Sequence, residues 1–213
     1  MLYEVFAFVQ RAGIVALEQD VETPRNSRIF SRYPAFLRDR ATLNFVCDSL
    51  RMLVIGVTTP QELDQLMDLD IDVQRRGRHE PVAALHTIAD ALPGLGIVAA
   101  VLGVVVTMEA IGGSPETVGQ KVAAALVGTF LGIFLGYGFM SPIAVNMEFN
   151  VLARLAYFHC ISVSVVSFAS GMAPGMAVEI GRRSLNDDLR PSGDELEAIL
   201  KPLNARVAGG QAK

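Results

Sequence analysis

ALPGLGIVAAVLGVVVTM, residues Ala91–Met108, and VAAALVGTFLGIFLGYGFMSPIAVNM, residues Val122–Met147, each run without an Asp, Glu, Lys, Arg or His. About 18 apolar residues are enough for a helix to cross the roughly 30 Å hydrocarbon core of a bilayer. The 13 residues between them, Glu109–Lys121, hold Gly112-Gly113-Ser114-Pro115, a turn signal suited to a hairpin. No stretch of the chain shows the alternation of a half-buried strand. The fold class expected is therefore all-α: a polytopic membrane protein with two transmembrane helices and an α-helical cytoplasmic domain.

The rest of the composition narrows this. Of 213 residues 51% are hydrophobic, and the apolar excess falls after residue 82, whereas residues 1–80 mix both charge signs. A net charge of −4 without a basic tract argues against a nucleic-acid partner. Cys47 and Cys160 form no CxxC and read as buried thiols in a reducing compartment. The start, Met1-Leu2-Tyr3-Glu4, lacks the basic region of a signal peptide. Arg75, Arg76 and Arg78 precede the first span, while Arg154, Arg182, Arg183 and Arg190 follow the second. The hairpin holds only Lys121. The positive-inside rule then puts both termini in the cytoplasm. Three parts follow: a cytoplasmic helical loop domain over 1–82, the hairpin over 83–147, and a cytoplasmic extension with a tail over 148–213.

Leu2, Val5, Phe6, Val9, Gly13, Ala16 and Leu17 predict one amphipathic helix over 2–20. A second is expected over Leu43–Ile55. Thr58-Thr59-Pro60-Gln61-Glu62 signals a helix start, with acids following and Arg75-Arg76-Gly77-Arg78 at the expected end. Leu155–Val178 is a third charge-free run. Its serines, His159 and the adjoining Arg154 favour a helix extending into the cytoplasm over a third span. Pro191–Pro202 predicts a short helix and Asn204–Lys213 a frayed tail.

Within the spans Gly128, Gly132 and Gly136 recur every fourth residue, and Gly96, Ala99, Ala100 and Gly103 make similar small-residue pairs. Such stripes either hold a bundle together or build a denser assembly with further helices; two spans alone leave small faces over. Pro93 and Pro142 each remove a helix hydrogen bond, as plain kinks or as a hinge layer. Thr129, at mid-span, either bonds back to the Ala125 carbonyl or serves a polar path. Asp90 belongs at the membrane boundary or in an interface. With no Asp, Glu, Lys, Arg or His inside either span, ion passage needs a titrating group from another chain. His79, Glu80 and His86 lack metal-ligand spacing, so no metal, cofactor or enzyme chemistry is expected.

Asp90-Ala91-Leu92-Pro93-Gly94-Leu95-Gly96-Ile97-Val98-Ala99-Ala100-Val101-Leu102-Gly103 resembles the third transmembrane helix of the MotA branch of the MotA/TolQ/ExbB proton channel family. Val127-Gly128-Thr129-Phe130-Leu131-Gly132 through Tyr137-Gly138-Phe139-Met140-Ser141-Pro142 resembles its fourth. Leu17-Glu18, Pro34, Asp48-Ser49-Leu50-Arg51 and Leu66-Met67-Asp68 are similar to its cytoplasmic loop, and Ala177-Val178-Glu179 with Arg190-Pro191-Ser192 to its tail. The resemblance implies a flagellar stator subunit of the bacterial inner membrane. It implies a pentameric ring around a MotB-like partner that brings the titrating Asp, and torque on the rotor protein FliG. Pro93 and Pro142 match the kink prolines and Thr129 a hydroxyl on the ion path. Ala100, where sodium-driven members tend to carry Thr, favours protons. Glu18 matches an acidic rotor contact, and Gln10 or Arg11 takes the place of a basic one. The first two transmembrane helices of the family are not expected within this sequence. The alternative is a TolQ- or ExbB-like energy transducer of the envelope.

Overall fold

The computed structural model describes residues 1–109 and 111–209. Among these every regular element is helical. The helices are α1 (Leu2–Ala12), α2 (Glu18–Glu22), α3 (Pro34–Arg38), α4 (Arg40–Ile55), α5 (Pro60–Met108), α6 (Pro115–Leu135), α7 (Ser141–Ala169), α8 (Pro174–Arg183) and α9 (Gly193–Gly209). The chain divides into two compact units, Met1–Gln74 with Arg154–Lys213, and Arg75–Ala153.

The first unit is built on aromatic packing. Phe6 stacks on Phe168 with centroids 4.4 Å apart, and Phe45 meets Phe158 edge-on at 4.9 Å. Leu63, Met67 and Ile71, one turn apart on α5, are buried with them. Two carboxylates are drawn into this unit and satisfied there. Glu4 is only 3% exposed and accepts from the Arg32 guanidinium and the Tyr33 hydroxyl, each at 2.8 Å. Asp39 caps α4 by accepting from the Thr42 amide and hydroxyl, and it also pairs with Arg154. The Arg154 guanidinium lies 5.0 Å over the Phe158 ring. Burial alone would raise the Asp39 pKa, but hydrogen bonds from Arg154 and Thr42 outweigh it and hold the carboxyl below its usual range.

Several boundaries differ from the sequence reading. The expected helix over 2–20 stops at Ala12, because Gly13 takes φ +85° and a 3-10 turn intervenes before α2. The start of α5 is a reciprocal cap: the Thr59 amide donates to Glu62 at 2.8 Å and the Glu62 amide to the Thr59 hydroxyl at 3.3 Å. That helix does not end at Arg75–Arg78 but runs 49 residues to Met108. Pro81, inside it, brings its ring to the carbonyl four residues back, which belongs to Gly77, and the helix continues. Leu155–Val178 is not one helix, since Gly171 at φ +89° separates α7 from α8. Nor is it a third span: Leu155, Phe158, Ile161 and Val165 are buried in the first unit. The C-terminal helix extends past Pro202 to Gly209 rather than fraying at Asn204; residues 210–213 lie outside the described range.

Candidate functional site: a glycine-sealed hairpin

Every proposed ion-path residue lies in the second unit, so its helix contacts set the site. Along α5, Val82, Ala89, Gly96 and Gly103 recur every seventh residue and mark the face turned toward the other half of the hairpin. Opposite them stand Ala125, Gly128, Gly132 and Gly136. A Cβ on Gly132 would lie 2.5 Å from the Leu92 carbonyl oxygen and 2.9 Å from the Gly96 Cα. One on Gly103 would overlap the Ala125 side chain at 2.2 Å, and one on Gly128 would meet the Ala99 methyl at 2.9 Å. The two small-residue stripes therefore consume each other. Close approach of backbone and methyl groups within the hairpin uses both of them.

This closeness gives Thr129 its partner. Its hydroxyl donates to the Gly96 carbonyl at 3.2 Å, across the hairpin, and not to Ala125. Gly96 offers that oxygen because nothing projects from it to hold the helices apart. Ala100 is half-buried one turn further along, and Asp90 is exposed.

Pro93 and Gly136 form the next layer. Pro93 has no N–H for the Ala89 carbonyl, so that oxygen is left over. A Cβ on Gly136 would lie 2.8 Å from this oxygen and 3.0 Å from the Pro93 ring, so the glycine is what lets the second helix cover both. Gly136–Met140 then adopts a π turn, a wider turn with i→i+5 bonding. Pro142 follows in the first turn of α7. The carbonyl four residues before it, that of Gly138, belongs to this π turn, so the distortion precedes the proline. The sequence carried a signal for this in Gly136, Gly138 and Pro142 together.

The outer faces of the hairpin are bare. Leu95, Val98, Val101, Leu102 and Val105 on α5, with Leu126, Phe130 and Phe134 on α6, are each 46% exposed or more. In the most apolar 18-residue stretch of α5 only 11% is buried, and in that of α6–α7 17%. Soluble core helices of this length would be mostly buried, so lipid or partner helices must cover these faces. On the side of the proline layer away from Thr129, His86 Nε2 on α5 comes within 4.0 Å of Glu148 Oε2 on α7. Sixty-two positions separate the two, and no local pattern announces the pair. Among the described residues no cluster of three or more His, Cys, Asp and Glu is placed to hold a metal.

The proposed rotor-contact residues lie in the first unit. Gln10 and Arg11 are exposed near the C-terminal end of α1, and Glu18, also exposed, opens α2 after the Gly13 turn.

Fold and site together define a helical membrane protein whose two spans close on each other through glycine. Residues 38–156 match the model of the MotA/TolQ/ExbB proton channel family, and the chain belongs to that family. It is 39% identical to Motility protein A of Escherichia coli over 197 residues, 92% of this chain and 67% of that protein. It is 34% identical to Chemotaxis protein LafT of Vibrio parahaemolyticus over 94% of this chain and 70% of that one. The fold is also that of a chain in the C. jejuni MotAB structure, with a TM-score of 0.72 at 20% identity, covering 90% of this chain and 68% of that chain.

Proposed function

We propose that this chain is the proton-conducting subunit of a bacterial flagellar stator, coupling ion flow to torque. The observation that carries the reading is the sealed hairpin: a polar Thr129–Gly96 contact at mid-span, a proline–glycine layer inward of it, and no Asp, Glu, Lys, Arg or His in either span. Proton relays through a membrane use ionisable groups, so a MotB-like partner supplies the carboxylate and the bare outer faces take its helices or those of further copies in a pentameric ring. A proton descending 100 mV releases about 2.3 kcal/mol, comparable with a few helix contacts. Motility-protein relatives at 34–39% identity favour this reading over a TolQ- or ExbB-like transducer.

In this reading the protein sits in the inner membrane with both termini in the cytoplasm. Pro93, Pro142, Ala100 and Thr129 line or gate the path, Asp90 stands at its inner boundary, and Ala100 selects protons. Gln10, Arg11 and Glu18 face FliG. The test is complementation of cells lacking the native subunit, with the full-length protein. Replacing both Pro93 and Thr129 by Leu is expected to abolish swimming while the subunit still co-purifies with its partner. Normal swimming of that variant would refute the channel reading.

A further inference from the structure

Between the proline layer and the inner ends of the second unit, ionisable groups reappear on both halves of the hairpin at once. On α5 these are Asp90, one turn further inward His86, and beyond it Glu80, His79, Arg78, Arg76 and Arg75; on α7 it is Glu148. His86 and Glu148 face each other across the hairpin at 4.0 Å, with the side chains 39% and 46% exposed. No position from Ala91 to Met108 or from Val122 to Met147 carries an Asp, Glu, Lys, Arg or His. Going inward from Thr129, a proton therefore meets Asp90 and then the His86–Glu148 pair.

The chemistry suits an acceptor open to water. Imidazole is the side chain that ordinarily changes charge within the physiological range, and it can take a proton on one ring nitrogen while giving one up from the other. Whichever nitrogen carries hydrogen in the neutral ring, the cation presents an N–H at Nε2 toward the Glu148 carboxylate. Asp90, one helical turn away on the same helix, adds a second negative charge. Half-exposure leaves the ring in reach of cytoplasmic water.

We infer that the His86–Glu148 pair is the inner proton-accepting site of the channel, a role that rests on the channel reading above. In that role the partner's carboxylic acid loses its proton to water in the path. The proton bonds to the His86 ring, giving an imidazolium held by Glu148, and it then leaves to water or buffer base on the cytoplasmic side. No other bond changes: Glu148 stays a carboxylate throughout, and the partner's group, left as a carboxylate, takes a new proton from the outer side to begin the next cycle.

The experiment uses the complete complex with its MotB-like partner, reconstituted in vesicles, with proton flux read by a pH-sensitive dye. His86→Gln is expected to lower flux about tenfold, below the usual contribution of a positioned proton carrier. Millimolar imidazole on the cytoplasmic side should restore most of it, whereas an equal concentration of acetamide should not. A second variant exchanges the partners, His86→Glu with Glu148→His, and should conduct better than either single change. Unchanged flux in His86→Gln overturns the inference. So does a loss that imidazole leaves in place while the complex still assembles, because that loss is structural. An unmodified complex that passes no protons would instead overturn the channel reading.

Discussion

The two units of this molecule reach close packing by opposite means. In the first, large rings fill space and buried carboxylates are matched with guanidinium and hydroxyl donors: Phe6 on Phe168, Phe45 on Phe158, Glu4 with Arg32 and Tyr33. In the second, the seam is glycine against backbone at Gly96 and Gly132, against alanine methyls at Gly103 and Gly128, and against a carbonyl and the Pro93 ring at Gly136. The difference is the one expected between a unit in water and a pair of spans in lipid. Where water surrounds the unit, burial of apolar area drives assembly and favours bulky side chains. In lipid that drive is absent, and attraction comes from contact alone, which small residues maximise. The first unit should thus be most sensitive to removing atoms and the second to adding them.

The largest effect is expected from adding atoms. Gly132→Leu places a branched side chain where even a Cβ lies 2.5 Å from a backbone oxygen, and no flexible neighbour can yield. Motility should be lost and the subunit should no longer co-purify with its partner. Gly132→Ala should cost about 1–3 kcal/mol, in the range of an overpacked core. Wild-type swimming with Gly132→Leu would break the comparison at its centre.

Removing atoms from the first unit comes next. Phe158 is fully buried, meets Phe45 edge-on and lies under Arg154. Phe158→Ala should destabilise by about 3–5 kcal/mol, seen as earlier thermal unfolding of the detergent-solubilised complex. The same truncation at Phe130, 62% exposed on the outer face of the hairpin, should leave that transition in place when detergent covers it.

Charges in the first unit give a smaller, pH-dependent effect. Asp39 is held below its usual range as described, and Glu179 down to about 2 by hydrogen bonds from Arg182 and Arg183. A carboxyl depressed by folding adds stability that is complete above its unfolded pKa of roughly 4 and is lost as pH falls through the folded value. Lowering pH from about 5 toward 2 should therefore loosen the first unit, and Asp39→Ala should remove part of that dependence along with about 1 kcal/mol of helix capping. Glu179 is solvated, so screening keeps its share small. The smallest change is Thr129→Val, which deletes one cross-hairpin hydrogen bond worth about 0.6 kcal/mol. It should leave assembly intact, so any loss of flux beyond that reports on the path.

The sequence carried the hairpin better than the unit beside it. Two uninterrupted apolar runs with a Gly–Pro turn leave little choice of architecture, and glycines at every fourth residue name the seam. What it hid was the partner of each stripe, because spacing within one helix says nothing about register against another. Thr129 shows this: its local option, the Ala125 carbonyl, was visible in the chain, while Gly96 is 33 residues away. The 49-residue α5 was missed for a different reason. Basic residues at Arg75–Arg78 look like a helix end, yet they sit in mid-helix, with two compact units dividing nearby. Asp39–Arg154 and His86–Glu148 pair across 115 and 62 positions and left no local trace.

The central claim is that this hairpin conducts only when a partner brings the acid its own spans lack. Proton flux into vesicles, measured for the complete complex and for the complex in which the partner's intramembrane aspartate is changed to asparagine, tests it most directly. The account predicts flux in the first and none above background in the second. Equal flux in both would contradict it, since no Asp, Glu, Lys, Arg or His lies from Ala91 to Met108 or from Val122 to Met147 to take the partner's place.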